Sequence, residues 1–139
     1  MRPVQLALAL LVFVIACGEA EGPVAVSLTR AANLDADLNS VCVTLHAGAR
    51  DCEVVRRSAV AGSYVARLSP MGAEEVSGDL TRVRAGIYTA VAWGGDASGA
   101  ATAFGCSPPI SVEAGEETAL DLVLEPLEDL TRAYPCGVD

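Results

Sequence analysis

The chain of 139 residues has no lysine, a single histidine (His46), a single tryptophan (Trp93) and only six aromatic residues in all. Each shortage removes a class of function. Nine arginines stand against eighteen acidic residues, giving a net charge of -9 and a pI near 4.4. That is the wrong sign for a phosphate backbone, and nucleic-acid binding is excluded. With one imidazole, a nucleophile has almost no choice of base, and no G-x-S-x-G, phosphate loop or dinucleotide fingerprint occurs. No C-x-x-C is present, which argues against a zinc site and against a redox dithiol. The carboxylate pairs Glu74-Glu75 and Glu116-Glu117 fall in turn-like segments without an apolar cleft, so they read as solvated acids. These absences lead us to expect no enzyme, no cofactor and no metal centre. Long hydrophobic runs are lacking too: the longest, from Leu6 to Ala16, has eleven residues, against about 20 for a membrane-spanning helix.

What that run does resemble is an export signal. Arg2, the apolar stretch and the small residue Ala16 are the three parts of a secretory signal peptide. The sequence Val14-Ile15-Ala16-Cys17 directly at its end resembles the lipobox of bacterial lipoproteins. The resemblance implies cleavage before Cys17, a thioether-linked diacylglycerol on its sulfur and a further acyl chain on its amine, which together make a stable membrane anchor. Gly18, not Asp, follows the cysteine, and in this family that favours the outer membrane or cell surface. Residues 1–16 are then a signal peptide and 17–23 an acylated cysteine with a flexible tether. The six residues after Cys17 would reach roughly 20 Å when extended. Residues 17–139 keep all eighteen acids and eight arginines, a net charge of -10; an anionic lipid surface repels such a domain, and the charge keeps it soluble.

Four cysteines remain: Cys42, Cys52, Cys106 and Cys136. An even number in an exported chain points to two disulfides. Three connectivities are possible. Spacing favours Cys42 with Cys52, because folding the stretch as a hairpin near Ala47 and Gly48 sets them opposite each other. Cys106 would then tie Cys136 and the polar tail back onto the domain. Twenty-one of residues 17–139 are alanine, so a core of Ala and Val buries little area per residue and bridges have a stabilising role.

Period-two alternation recurs between turn signals and helical periodicity is almost absent, which makes the chain all-β. Strands are expected over Val24 to Thr29, Val41 to His46, Cys52 to Arg57, Ser63 to Leu68, Asp79 to Arg84, Ile87 to Trp93, Ile110 to Val112 and Thr118 to Leu124. Gly94-Gly95-Asp96 is expected to end the sixth, with a loop running to Cys106, and residues 127–132 to form a helical turn or two after Pro126. His46 is expected to point outward. Seven to eight short strands at this spacing fit a single immunoglobulin-like or prealbumin-like antiparallel β-sandwich over 24–125, followed by a pinned tail, 126–139. Val83-Arg84-Ala85-Gly86-Ile87-Tyr88, the loop to Cys106 and the alternating last strand resemble prealbumin-like or carboxypeptidase-regulatory-like domains. This second resemblance implies a fold, with Tyr88 burying its ring and reaching backbone with its hydroxyl; it carries no catalytic residues.

Two ligand sites are conceivable. Asp35, Asp37 and Asn39 place oxygens at alternate positions, as a calcium loop begins, but Ser40 and His46 break the EF-hand pattern; a plain Asx-rich turn competes. Trp93 with Tyr88 and Phe104 could stack on a carbohydrate, although a domain with five aromatics needs them for its core. The overall expectation is a membrane-anchored envelope lipoprotein, acting as a non-catalytic structural or interaction module with an envelope or surface protein as partner. A calcium- or carbohydrate-binding surface module is the alternative.

Overall fold

Alternation becomes strands in this computed structural model, which describes residues 20–34, 38–58, 61–68 and 75–136. The apolar run, Cys17, Asp35 and Asp37 lie outside the described residues. The elements are β1 (Glu21–Arg30), β2 (Ser40–Ala47), α1 (Cys52–Arg57), β3 (Tyr64–Leu68), β4 (Glu75–Arg84), β5 (Gly86–Gly95), β6 (Ala101–Cys106), β7 (Ile110–Val112) and β8 (Thr118–Pro126). The protein is all-β, as the period-two pattern requires.

Pairing follows the order β3-β2-β5-β6-β8-β1-β4, with β7 continuing the lane of β6 along β5. One element of the expectation is corrected here: β1 and β8 run parallel, Val24 beside Thr118 through Arg30 beside Leu124, so the sheet is mixed and not wholly antiparallel. The two ends of the path meet through side chains. Tyr64 of β3 accepts a hydrogen bond from the Arg84 N–H of β4 at 3.0 Å and packs edge-on against Tyr88, which curls the sheet nearly into a barrel. Tyr88 is buried and donates its hydroxyl to the Arg84 carbonyl at 2.6 Å.

Inside the curl, Val24, Val26 and Leu28 of β1 face Val41, Val43 and Leu45 of β2 and Leu120, Leu122 and Leu124 of β8. Leu80 and Val83 of β4, three residues apart, both point inward because the β1 register shifts between Gly22 and Val24. Pro23, which has no N–H to donate, sits at this irregularity. The strand thus starts at Glu21, inside the stretch read as tether.

Four local expectations are overturned. Residues 52–57 form a helix, because the Asp51 carboxylate accepts from the N–H groups of Glu53 and Val54 as an N-cap, with Glu53 in the first turn and Arg56 and Arg57 in the last. The β5 strand does not stop at Gly94; it runs to Gly95 because bulky neighbours need the space above both glycines. A Cβ on Gly94 would stand 2.8 Å from Leu38, and one on Gly95 2.8 Å from Tyr134. The stretch after it is not a loop up to Cys106, since β6 pairs with β5 from Ala101 onward. Residues 127–132 form no helix; the tail is extended, bonded to β6 through Leu127 N–H to Thr102 O and Ala101 N–H to Arg132 O, both 2.9 Å.

Candidate functional site

The β2-β5 pair is covered on both faces. While Val43 and Leu45 enter the inner core, Cys42, Thr44 and His46 project from the opposite face, across from Trp93, Val91 and Thr89. Over them lie Val55 of α1 and Tyr134 and Cys136 of the tail. The cover is cross-linked: Cys42 bonds Cys136 and Cys52 bonds Cys106. This replaces the pairing favoured by spacing. With 52–57 helical, β2 has β3 and β5 as its partners, and Cys52 is carried to the end of β6. One bridge ties the tail to the sheet, the other ties the start of α1.

His46 is therefore not outward-facing but buried, 5% exposed, with its Nε2 hydrogen-bonded to Thr44 Oγ1 at 3.0 Å. Burial, and secondarily the charge of Arg50, push its pKa below the ordinary histidine value. The unfolded chain consequently binds a proton that the folded one resists. Stability is unaffected at alkaline pH and falls as pH drops below about 6.5, down toward the lowered folded value. Urea midpoints measured from pH 8 to pH 5 are expected to fall in this window, and the portion due to His46 is expected to vanish in His46→Gln; an unchanged slope in that variant overturns the assignment.

Beside α1 an open groove of about 600 Å³ runs past Phe104, Val123 and Leu127. Its acidic residues are Glu53, Asp121, Glu125 and Asp129. Across its α1 side lies the buried Arg56, whose Nη1 meets Asp129 at 2.7 Å and whose Nη2 meets Glu53 at 3.0 Å. Arg57 adds a 3.2 Å contact to Glu53. Hydrogen bonds from Arg56 hold both carboxylates below their usual range, and they keep Arg56 itself charged. The clamp fixes α1 to residue 129 of the tail.

Sequence reasoning missed Arg132 entirely. Its guanidinium lies 4.5 Å over the Trp93 ring, and its Nη1 donates to the carbonyls of Arg56 at 2.6 Å and Ser58 at 3.1 Å. Trp93 itself is 3% exposed and packs against Phe104 with ring centroids 4.7 Å apart. Neither ring face is open to a sugar, so this residue belongs to the core and not to a stacking platform. Asn39 is exposed at the entry to β2, its N–H bonded to the Gly95 carbonyl. No three His, Cys, Asp or Glu converge on a possible metal position among the described residues. Compared with family models, characterised proteins and solved structures, the chain matches none.

Proposed function

We propose that this protein is an envelope lipoprotein, anchored through an acylated Cys17 at the outer membrane or cell surface, whose stapled β domain is a non-catalytic structural or interaction module. The observation that carries the reading is the pair of long-range disulfides, Cys42 with Cys136 and Cys52 with Cys106. Such bridges persist in oxidising compartments outside the cytoplasm, which agrees with a lipobox-like segment placed directly after an apolar run. An open groove with an apolar side suits contact with another envelope protein.

A prealbumin-like sandwich is part of the same proposal. Its support is the division of the pairings among the described residues into a β4-β1-β8 set and a β3-β2-β5-β6 set, joined where Ala103 and Phe104 meet Pro126 and Glu125. Tyr88 at the β4-β5 corner, bonded to the Arg84 carbonyl, also fits.

The test is an intact, non-reduced mass of the protein extracted from native membranes, beside Cys17→Ser. The expected result is a chain beginning at Cys17, heavier by its acyl chains and lighter by the four hydrogens of two bridges, with acylation lost in the variant. An unmodified start, or free thiols, overturns the proposal. Crosslinking in intact cells then identifies the partner.

A further inference from the structure

Arg56 and Arg57 meet carboxylates among the described residues; an arginine that meets none and is also drawn out of water stands out. Arg132 is one. It is half-buried, and among the described residues it has no ion pair; both of its protein acceptors sit on Nη1. Nε and Nη2, the side-on fork of the guanidinium, have no hydrogen-bond partner among the described residues. Burial pushes its pKa down, the mark of a charge partly stripped of water. A desolvated charge without a counter-ion is costly, and here the Arg56 and Ser58 carbonyls and the Trp93 ring hold it in place.

Two cavities meet at this side chain, sharing Ala61, Arg132 and Pro135. The inner one, about 50 Å³, is bounded by Thr44, His46, Ser58 and Trp93. The outer one is open, about 410 Å³, and is bounded by Arg57, Thr131 and Tyr134. Among the described residues neither lining contains an Asp or Glu, whereas the groove along Cys52 and Glu53 contains four. The two surfaces are thus opposite in electrostatic character.

We propose that the Arg132 pocket binds an organic carboxylate: the carboxylate group engages Nε and Nη2 side-on, and the body of the ligand occupies the outer cavity beside Arg57 and Thr131. The in-plane fork of arginine matches the two oxygens of a carboxylate. A phosphate dianion would call for further fixed cations at the inner end, where the lining supplies hydroxyls and a histidine kept neutral by burial. The inference concerns the folded domain and is independent of how the chain is anchored.

Trp93, the only tryptophan, lies under the guanidinium and reports directly on its environment. The purified, disulfide-bonded chain is titrated at pH 7.5 with succinate and with acetate, ionic strength being held constant with sodium chloride, while Trp93 emission is followed. A saturable change with a midpoint below about 10 mM is expected, with inorganic phosphate and added chloride at least about ten-fold weaker. Arg132→Lys keeps the charge but not the fork and is expected to weaken succinate binding by about ten-fold or more. Arg132→Gln is expected to abolish it, with near-ultraviolet circular dichroism as the check on folding; should that variant unfold, the lysine variant alone decides. No saturation, an equal response to chloride, a preference for phosphate, or full binding by Arg132→Lys overturns the proposal.

Discussion

Replacing Cys42 and Cys136 together by alanine is expected to lower stability by about 4 kcal/mol, or about 20 °C in melting temperature for a domain of this size. The bridge spans 94 residues of sequence, so it removes a large loop entropy from the unfolded chain. It also fastens the tail, whose other ties to the sheet and α1 are hydrogen bonds, the Arg56–Asp129 ion pair and the packing of Tyr134. Between Leu127 and Cys136 the backbone is tied, among the described residues, by the bonds Leu127 to Thr102, Ala101 to Arg132 and Tyr134 to Gly99, together with side-chain contacts such as Arg67 to the Cys136 carbonyl at 2.8 Å. Cys42 is wholly buried, and alanine leaves a sulfur-sized gap against Trp93. The Cys52/Cys106 double alanine variant is expected to lose a comparable amount, since its loop of 54 residues differs little on a logarithmic scale. Trp93 emission separates the two. Freeing the tail uncovers Trp93 and shifts its emission to the red, while freeing the start of α1 leaves Tyr134 and Arg132 over it. A Cys42/Cys136 variant with an unmoved urea midpoint and unmoved emission would show that the tail docks without its staple.

The cysteine pairing illustrates where sequence reasoning runs out. Alternation was enough for β1, β2, β7 and β8, whose inward residues are Val, Leu and Ile, and for β3, where Tyr64, Ala66 and Leu68 share the inner face. It failed at Cys52 to Arg57, where two adjacent valines suggested a strand and six residues are too few to display a helical period. Asp51, with an acidic first turn and a basic last one, was the available signal. Misreading that segment moved Cys52 opposite Cys42, and the wrong bridges followed. β6 was hidden for another reason: Ala101 and Ala103 are buried and Gly105 lies against the Val123 backbone, and such small residues resemble a loop. His46 sits in a correctly placed strand but faces a layer, α1 and the tail, that alternation alone cannot reveal. Arg132 had no local signal at all. Its partners, the carbonyls of Arg56 and Ser58, are 76 and 74 positions away.

The smallest of these residues should be the least replaceable. Gly105→Ala is expected to cost about 3 kcal/mol, the upper part of the range for overpacking, although it adds one methyl group. At this point β8 changes partners: it pairs with β1 as far as Leu124 and with β6 at Glu125 and Pro126. The crossing brings the Val123 backbone onto Gly105, where a Cβ would lie 2.2 Å from the Val123 oxygen and 3.0 Å from its carbonyl carbon. Backbone cannot rotate away as a side chain can, so relief must come from parting β6 and β8, where their ladder joins the two sets of strands. Gly99 provides the comparison. Its φ of 85° disfavours alanine, but nothing lies within 4 Å of a Cβ there, and Gly99→Ala should cost only about 1 kcal/mol. Urea denaturation of both variants checks the difference, and equal losses would mean that the β6-β8 crossing yields readily. Gly105 and Val123 also line the groove beside α1. A Gly105→Ala chain that remains folded should therefore have a widened groove and a weaker hold on any partner bound there, while the Arg132 pocket, whose linings include neither residue, keeps its response to succinate.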